Sequence, residues 1–248
     1  MVYRFLIGLG AYWAFLRQVF QKPEKGSEYL KSFWREINDL GVQSLPLVFI
    51  VSFFMGAVLT IQTALNLEDP LIPRYYIAIA VREGILLEFA PTIVALILAG
   101  IVGSSISGSI GNMRITEQID ALEVMGINPA SFLVMPKIVA FVLFSPINLV
   151  FAMFSGLLGG YLAGWWLEML APGDFIQGLR LEFNTFYIVY SMTKVLIFSF
   201  FISSISSFFG FRVKGGALEV GKASTKAVIA SILTIIVFNY ILTDVLLK

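Results

Sequence analysis

Long runs without charge alternate with short charged segments along this chain. A bilayer has a hydrocarbon core of roughly 30 Å, which a helix of about 20 apolar residues can cross. Five runs of 17 to 30 residues meet this requirement, one of them interrupted by a single charge at Lys194: Leu40–Leu67, Phe89–Met113, Ile138–Leu167, Asn184–Phe211 and Ala227–Thr243. The pattern predicts an all-α membrane protein with five transmembrane helices.

The segment before the first span has a different pattern. Phe5–Leu16 is free of charge but too short to span the bilayer, and no small-residue cleavage site follows it, so we expect an interfacial helix rather than a signal peptide. Lys22–Gly26 breaks this helix. Tyr29–Leu40 then has an amphipathic pattern that predicts a second interfacial helix. We therefore expect a single domain, 1–248, with interfacial helices in 1–39 and a five-span bundle in 40–248.

The apolar stretch Leu71–Val81 is short and is bracketed by Arg74 and Arg82. We expect it to extend the second span or to lie at the interface, and a sixth span is the less favoured alternative. The lysines and arginines then set the orientation, because cytoplasmic loops are enriched in them. Twelve fall on the side of the N-terminus and four on the other side. The N-terminus is predicted to be cytoplasmic and the C-terminus periplasmic.

Composition excludes several function classes. The 248 residues are 58% hydrophobic and 13% charged, with a net charge of +1 and neither Cys nor His. Thiol and histidine chemistry are therefore excluded, and no global charge favours nucleic acid. Gly216–Ala223 (GALEVGKA) nearly matches a phosphate-binding loop, but Ala223 lacks the hydroxyl that binds magnesium. We expect no ATPase site, no cofactor and no metal, and hence no enzyme activity of the chain's own.

Small residues recur every four positions in two spans: Gly156, Gly160 and Gly164 in the third, and Gly100, Ser104 and Gly108 in the second. This spacing places each set on one stripe of its helix, where another backbone can approach closely. Tight packing within one chain is the plainer interpretation of each stripe. A dimer seam or a sliding surface is the alternative.

The connection between the second and third spans is the most distinctive part of the chain. Glu117, Asp120 and Glu123 are spaced by three and would share one face of a short helix, with apolar residues on another face. A solvated acidic face and a docking surface for another protein are both compatible with this pattern.

Polar residues also occur inside the predicted spans. Glu88 stands beside Pro91 at the predicted start of the second span, and Gln62 and Asn66 are one turn apart in the first. Such groups either line a cavity or bond a neighbouring helix. Lys194 in the fourth span is expected to snorkel to the interface or to pair with an acid.

Three motifs together resemble the MlaE/YrbE permease family, the membrane subunit of bacterial lipid-transporting ABC systems. Leu87–Pro91 (LEFAP) is similar to that family's R-E-L-G-P element, with Leu87 where many members have arginine. Gly111–Asn128 carries the core M-R-x-T-E-Q-I-D-A-L-x-x-M, and Gly210–Thr225 is similar to G-x-x-x-x-G-x-x-x-V-G-x-A-T. The resemblance runs from about Leu40 to Leu246.

The resemblance implies a homodimer in the inner membrane that carries two ABC ATPase subunits and a periplasmic MCE-domain lipid-binding protein. Phospholipid would move between the membrane and that carrier, in a system that maintains the lipid asymmetry of the outer membrane. Thr116–Val124 would be the coupling helix, and the implied ATPase-docking residues are Arg114, Thr116, Glu117, Gln118, Asp120 and Glu123. The implied lipid-binding residues are Glu88, Leu59, Gln62, Thr63 and Asn66.

Two rival functions remain at this point. A stand-alone secondary transporter or channel would usually show inverted repeats and several ionisable residues at the midplane, whereas we find no repeat and only Lys194 inside a span. A lipid-modifying membrane enzyme would need a catalytic pair, and the sequence shows none.

Overall fold

The structure is a computed structural model that describes residues 2–21, 26–67 and 71–247. Within these ranges the chain forms helices joined by short turns, and no strand occurs. Helices are expected here because every backbone N–H and C=O in hydrocarbon must be paired within its own segment. The α-helices are α1 (Val2–Val19), α2 (Gly26–Glu36), α3 (Leu45–Asn66), α4 (Tyr75–Gly84), α5 (Val94–Ile115), α6 (Gln118–Val124), α7 (Met135–Trp166), α8 (Pro172–Arg180), α9 (Phe186–Phe211) and α10 (Ala217–Leu247).

Among the residues that the structure describes, five continuous helical stretches are long and apolar enough to cross a membrane, which confirms the predicted number of spans. Three of them contain a π-helical segment, at Ile37–Gly41, Ile85–Ile93 and Ala130–Val134. The stretches are Tyr29–Asn66, Tyr75–Ile115, Ala130–Trp166, Phe186–Phe211 and Ala217–Leu247.

One boundary differs from the simplest interpretation of the sequence, and another follows it. The second amphipathic helix, α2, continues through Ile37–Gly41 and Val42–Ser44 into α3 without a non-helical break. Leu71–Val81 falls mainly in α4, which continues into α5 and so extends the second span, as expected. Continuity keeps the backbone hydrogen bonds that a break would leave unpaired. The predicted break at Lys22–Gly26 falls mostly on residues 22–25, outside the described residues.

The first helix is attached through its C-terminal half. The Tyr12 hydroxyl lies 2.7 Å from the Ser204 hydroxyl on α9, and the Phe15 ring contacts Phe208 and Phe211. Burial raises the pKa of Tyr12, so its hydroxyl stays protonated at neutral pH. Trp13 is 74% exposed on the other face. This exposed aromatic is what an interfacial helix needs at a membrane surface.

The chain divides into two compact units, each built from three stretches. The first contains 1–44, 96–144 and 197–241, and the second contains 45–95, 145–196 and 242–248. The single-domain expectation from the sequence stays a prediction.

Glycines allow very close helix contact inside the second unit. A Cβ on Gly56 of α3 would collide with the carbonyl group of Gly156 on α7, and a Cβ on Gly159 would collide with that of Phe53. The third-span stripe therefore packs within the chain, as the plainer interpretation held. In the second span, by contrast, a Cβ on Gly100 would meet no described heavy atom within 4 Å. Gly100 therefore leaves room for another surface, whereas a Cβ on Gly108 of the same stripe would contact Ser224 Oγ at 3.7 Å.

Arg82 fastens α8 to α4 in the second unit. Its side chain is 2% exposed, and its Nη1 donates to the carbonyls of Gly178, Leu179 and Leu181 at 3.1, 3.0 and 2.6 Å. Nη2 donates to the carbonyl of Glu182 at 3.3 Å. The last carbonyls of a helix have no partners within the helix. One guanidinium supplies those partners and so fixes α8 in place.

The close contact of α3 with α7 predicts that a methyl group added at Gly56 destabilises the protein, whereas one added at Gly100 does not. Gly56→Ala should lower the midpoint of thermal unfolding in detergent by about 5–10 °C, because over-packing a tight contact costs about 1–3 kcal/mol. Circular dichroism at 222 nm measures the midpoint. Gly100→Ala is the matched control and should leave it unchanged; equal midpoints for both variants would contradict the assigned contact.

Candidate functional site

Glu88 lies well inside the second span. The helix begins at Tyr75, so Glu88 is about 20 Å along its axis at roughly 1.5 Å per residue. The expectation that Glu88 begins the span is therefore wrong, because α4 adds several turns before it. Glu88 belongs to the π-helical segment Ile85–Ile93, which also contains Pro91. Proline cannot donate its backbone nitrogen to the helix ladder, and π-helical turns are frequent at functional sites.

A buried ion pair connects Glu88 with α9. The Lys194 ammonium lies 2.7 Å from Glu88 Oε1, and the Lys194 side chain is fully buried. The hydroxyl of Tyr190 donates to the same oxygen at 3.4 Å, and that of Thr243 on α10 donates at 3.3 Å. Thr92 donates to Oε2 at 3.1 Å. We call Glu88, Lys194, Tyr190, Thr243 and Thr92 the carboxylate cluster.

The contacts of Lys194 decide between the two alternatives that the sequence left open for it, snorkelling to the interface and pairing with an acid. Its ammonium also donates to the Leu87 carbonyl at 3.3 Å and lies 4.4 Å from the centre of the Tyr190 ring. Lys194 therefore pairs with an acid instead of snorkelling to the interface. It supplies a cation beside the Glu88 carboxylate.

The two charges of the pair differ in exposure. The Glu88 side chain is 41% exposed on the surface of the single chain, although the residue lies deep in a span. A carboxylate at that depth is unfavourable against lipid tails and usually faces a cavity or another protein surface. The arrangement can therefore present a polar anchor to a headgroup or to a second copy of the chain, while Lys194 holds it in place.

The predicted lipid-binding residues of α3 lie on the helix that packs beside α4. Leu59 lies against Gly84, one turn before Glu88. The Thr63 hydroxyl donates to the Leu59 carbonyl of its own helix at 2.7 Å. Gln62 and Asn66 are exposed. The hydrogen bonds given above join Glu88 to α9 and α10, so a shared site with these α3 residues stays a prediction.

The cavity beside the carboxylate segment is small. It has a volume of about 10 Å³ and lies in the second unit, with Met55, Gly56, Phe89 and Ala90 among its walls. That volume holds about one water molecule. An acyl chain would need space outside this cavity.

The predicted coupling helix is shorter than the sequence indicated. Helix α6 covers Gln118–Val124, while Thr116 and Glu117 form the turn before it. Glu117 has φ +59° in the left-handed region, which costs a non-glycine residue about 1 kcal/mol. Because Glu117 lies outside the helix, the prediction that it shares one helical face with Asp120 and Glu123 is wrong.

The acidic residues of this segment divide into one that is paired with a cation and two that are exposed. The Arg114 guanidinium pairs with Asp120 at 2.5 Å, which ties α6 to the end of α5. Ile119 is fully buried beneath the helix. Glu117 and Glu123 are exposed, as is Gln118, whose amide donates to the Thr116 hydroxyl at 3.0 Å. Of the predicted docking residues, Arg114 and Asp120 therefore anchor the segment, and the others present it to solvent.

Sequence reasoning missed two apolar residues on the same surface. Val124 is 90% exposed and Met125 is 64% exposed at the end of α6. Large apolar side chains side by side in solvent are typical of a contact surface. The available signal was a Val-Met pair directly before Gly126, which has φ +78° and ends the helix. We call Glu117, Gln118, Glu123, Val124 and Met125 the docking surface.

Known proteins resemble this chain over most of its length. The family model described as Permease MlaE matches residues 33–245. A probable ABC transporter permease protein of Rickettsia typhi is 32% identical over 220 residues, which cover 89% of this chain and 85% of the relative. A similarly named protein of Synechocystis is 32% identical, with 91% and 86% covered. The intermembrane phospholipid transport system permease protein MlaE of Haemophilus influenzae is 27% identical, with 86% and 81% covered. The chain belongs to the MlaE permease family.

Proposed function

We propose that this multi-pass membrane protein is the permease subunit of an ABC transporter that moves phospholipid between the inner membrane and a periplasmic MCE-domain carrier. It acts as a homodimer, two ATPase subunits hydrolyse the ATP, and the system maintains outer-membrane lipid asymmetry. The N-terminus and the docking surface are cytoplasmic, and the C-terminus is periplasmic. The name of the Haemophilus relative, a phospholipid transport permease, supports the substrate class.

The observation that carries the proposal is the exposed, mixed acidic and apolar docking surface on a rigidly held helix. An isolated acidic face would suit solvent, but Val124 at 90% exposure needs a partner. Val124 and Met125 supply the apolar centre of a contact, and Glu117 and Glu123 supply a charged rim that sets its orientation.

The same segment is connected so that it can transmit a push. The Arg114–Asp120 pair joins α6 to α5. On its other side, the Asn128 amide donates to the Gln18 carbonyl at 3.1 Å and to the Gln21 side chain at 3.0 Å. Movement of α6 by an ATPase subunit therefore reaches both the second span and the α1 region through short, direct contacts. Shifts of this kind are how helices convert a local change into a larger one.

The carboxylate cluster supports a role in holding the lipid. Its half-exposed Glu88 can accept hydrogen bonds from a headgroup, and the apolar residues around it suit acyl chains. The buried Lys194 holds the carboxylate in a fixed orientation, so the anchor is in place before the lipid arrives.

The rival functions lose support from these features. A stand-alone transporter has no use for an exposed docking helix, and the relatives' names place this family with ABC transporters. A lipid-modifying enzyme would need a nucleophile and a base. Within the described residues, the carboxylate cluster offers a carboxylate already engaged by a lysine and three hydroxyl groups.

The docking surface predicts a charge-reversal effect on coupling. Glu117→Lys/Glu123→Lys should lower the ATPase rate of the reconstituted complex about tenfold, because reversed rim charges oppose the ATPase surface. Val124→Ser should do the same by removing the apolar contact. The measurement is ATP hydrolysis in proteoliposomes, with copurification of the ATPase subunit recorded in parallel.

Glu168→Lys is the matched control, since Glu168 is exposed, has a similar positive φ of +54° and lies on the opposite side in the proposed orientation. It should leave the rate unchanged. Full coupling in both docking-surface variants would remove the basis of the proposed function.

The Glu88–Lys194 ion pair predicts that removing either charge lowers the free energy of unfolding, by unequal amounts. Glu88→Gln leaves the Lys194 charge buried, so it should lower the free energy of unfolding by about 3 kcal/mol. Lys194→Met should lower it less, because the freed Glu88 carboxylate is partly exposed and can be hydrated or protonated. Denaturation of the purified chain in detergent measures the free energy of unfolding of both variants. The double variant Glu88→Gln/Lys194→Met completes a double-mutant cycle, which isolates the interaction energy of the pair.

Both single variants should also lower lipid transfer to the carrier protein. If the double variant restored stability but not transfer, the carboxylate would act on the lipid directly. Restoration of both by the uncharged pair would assign the cluster a purely structural role, against the proposed lipid contact.

A further inference from the structure

A basic groove lies where α9 ends and α10 begins. It belongs entirely to the first compact unit and has a volume of about 370 Å³. Its walls combine the end of α9, the connecting turn and the first turns of α10. The groove is lined by Phe208, Phe209, Arg212, Val213, Lys214, Glu219, Lys222, Ala223 and Lys226.

The charge of the groove is strongly unbalanced. Four cations face one carboxylate, which gives a net charge of +3 at neutral pH. Glu219 is engaged by Lys222 at 2.6 Å, and the Arg212 guanidinium stacks 5.1 Å from the centre of the Phe208 ring. Lys214 and Lys226 are exposed, and neither makes an ion pair with any residue that the structure describes. Two ammonium groups therefore remain to be matched by an anion.

The walls favour an amphiphilic anion over a soluble one. Phe208 and Phe209 belong to the apolar span α9, whereas the lysines stand in the connection and the first turns of α10. The groove is thus apolar on one side and cationic on the other, as the boundary of a lipid leaflet is. It is not a nucleotide loop, because Ala217–Ala223 is already helical and cannot wrap its backbone N–H groups around a phosphate.

We propose that this basic groove binds the phosphate headgroup of an anionic phospholipid from the cytoplasmic leaflet. Lys214 and Lys226 contact the phosphate, and Phe208 contacts the glycerol and upper acyl region. The side of the membrane rests on the orientation given under the proposed function, but binding itself does not. Clusters of lysine and arginine beside a span attract anionic lipids in this way.

The test measures lipid binding by the purified full chain, without any ATPase subunit. The chain is reconstituted in nanodiscs of phosphatidylethanolamine, with or without phosphatidylglycerol, and lipids retained on release are counted by native mass spectrometry. Wild type should retain phosphatidylglycerol in preference to phosphatidylethanolamine. Lys214→Gln/Lys226→Gln should weaken that preference roughly 10- to 30-fold.

Two controls separate charge at this groove from charge in general. Lys214→Arg/Lys226→Arg keeps the charge and should keep the preference. Lys31→Gln removes a cation from α2, which does not line the groove, and should leave the preference intact. All three variants alter exposed side chains, so a thermal midpoint equal to wild type confirms that each is folded.

Four results would overturn the proposal. The first is equal retention of the two lipids by wild type, and the second is an unchanged preference in the glutamine variant. The third is displacement of phosphatidylglycerol by millimolar inorganic phosphate, which would assign the groove to a free anion. The fourth is loss of the ATPase subunit from the glutamine variant with lipid retention unchanged, which would make the groove a protein contact. The proposed transport function is tested separately by ATP hydrolysis, so either idea can fail alone.

Discussion

The low dielectric of the bilayer governs this structure, because a polar group left unpaired at membrane depth is costly and most of those described have a partner in the protein. The serines of α9 show the simplest solution: the hydroxyls of Ser203, Ser204 and Ser207 donate to carbonyls four residues earlier in their own helix, at 2.6 to 2.7 Å. Lys194 has no such local solution, so it takes the Glu88 carboxylate of another helix. The cluster around Glu88 is thus a consequence of placing one lysine inside a span.

The two parts of the candidate site use charge in opposite ways. Around Glu88, the buried Lys194 holds the carboxylate so that its exposed part keeps a fixed direction. On the docking surface, Asp120 is held by Arg114 so that its neighbours Glu117 and Glu123 can remain in solvent. In each case one charged residue holds the local structure in place, and another presents its charge at the surface.

Much of the architecture could be predicted from residue patterns alone. Charge-free runs located all five spans, since the bilayer imposes their length and composition. The span ends were harder to predict: Arg82 directly follows the apolar stretch Leu71–Val81, and only the fold shows that four backbone carbonyls surround its guanidinium. The partner of Lys194 is 106 positions away in sequence, so no local pattern identifies it. The spacing of three also predicted Glu117 on the same helix as Asp120, whereas Glu117 has a left-handed backbone and lies in the turn before α6 begins.

The attachment of α8 through Arg82 has a consequence for how the molecule can be observed. A guanidinium shared among several carbonyls resists rotation, unlike a single hydrogen bond, so α8 cannot swing independently of α4. A spectroscopic label placed on the exposed Ile176 of α8 would therefore report the tilt of α4, and with it the tilt of the second span. The short helix would serve as an external reporter of motion in the longer helix that carries it.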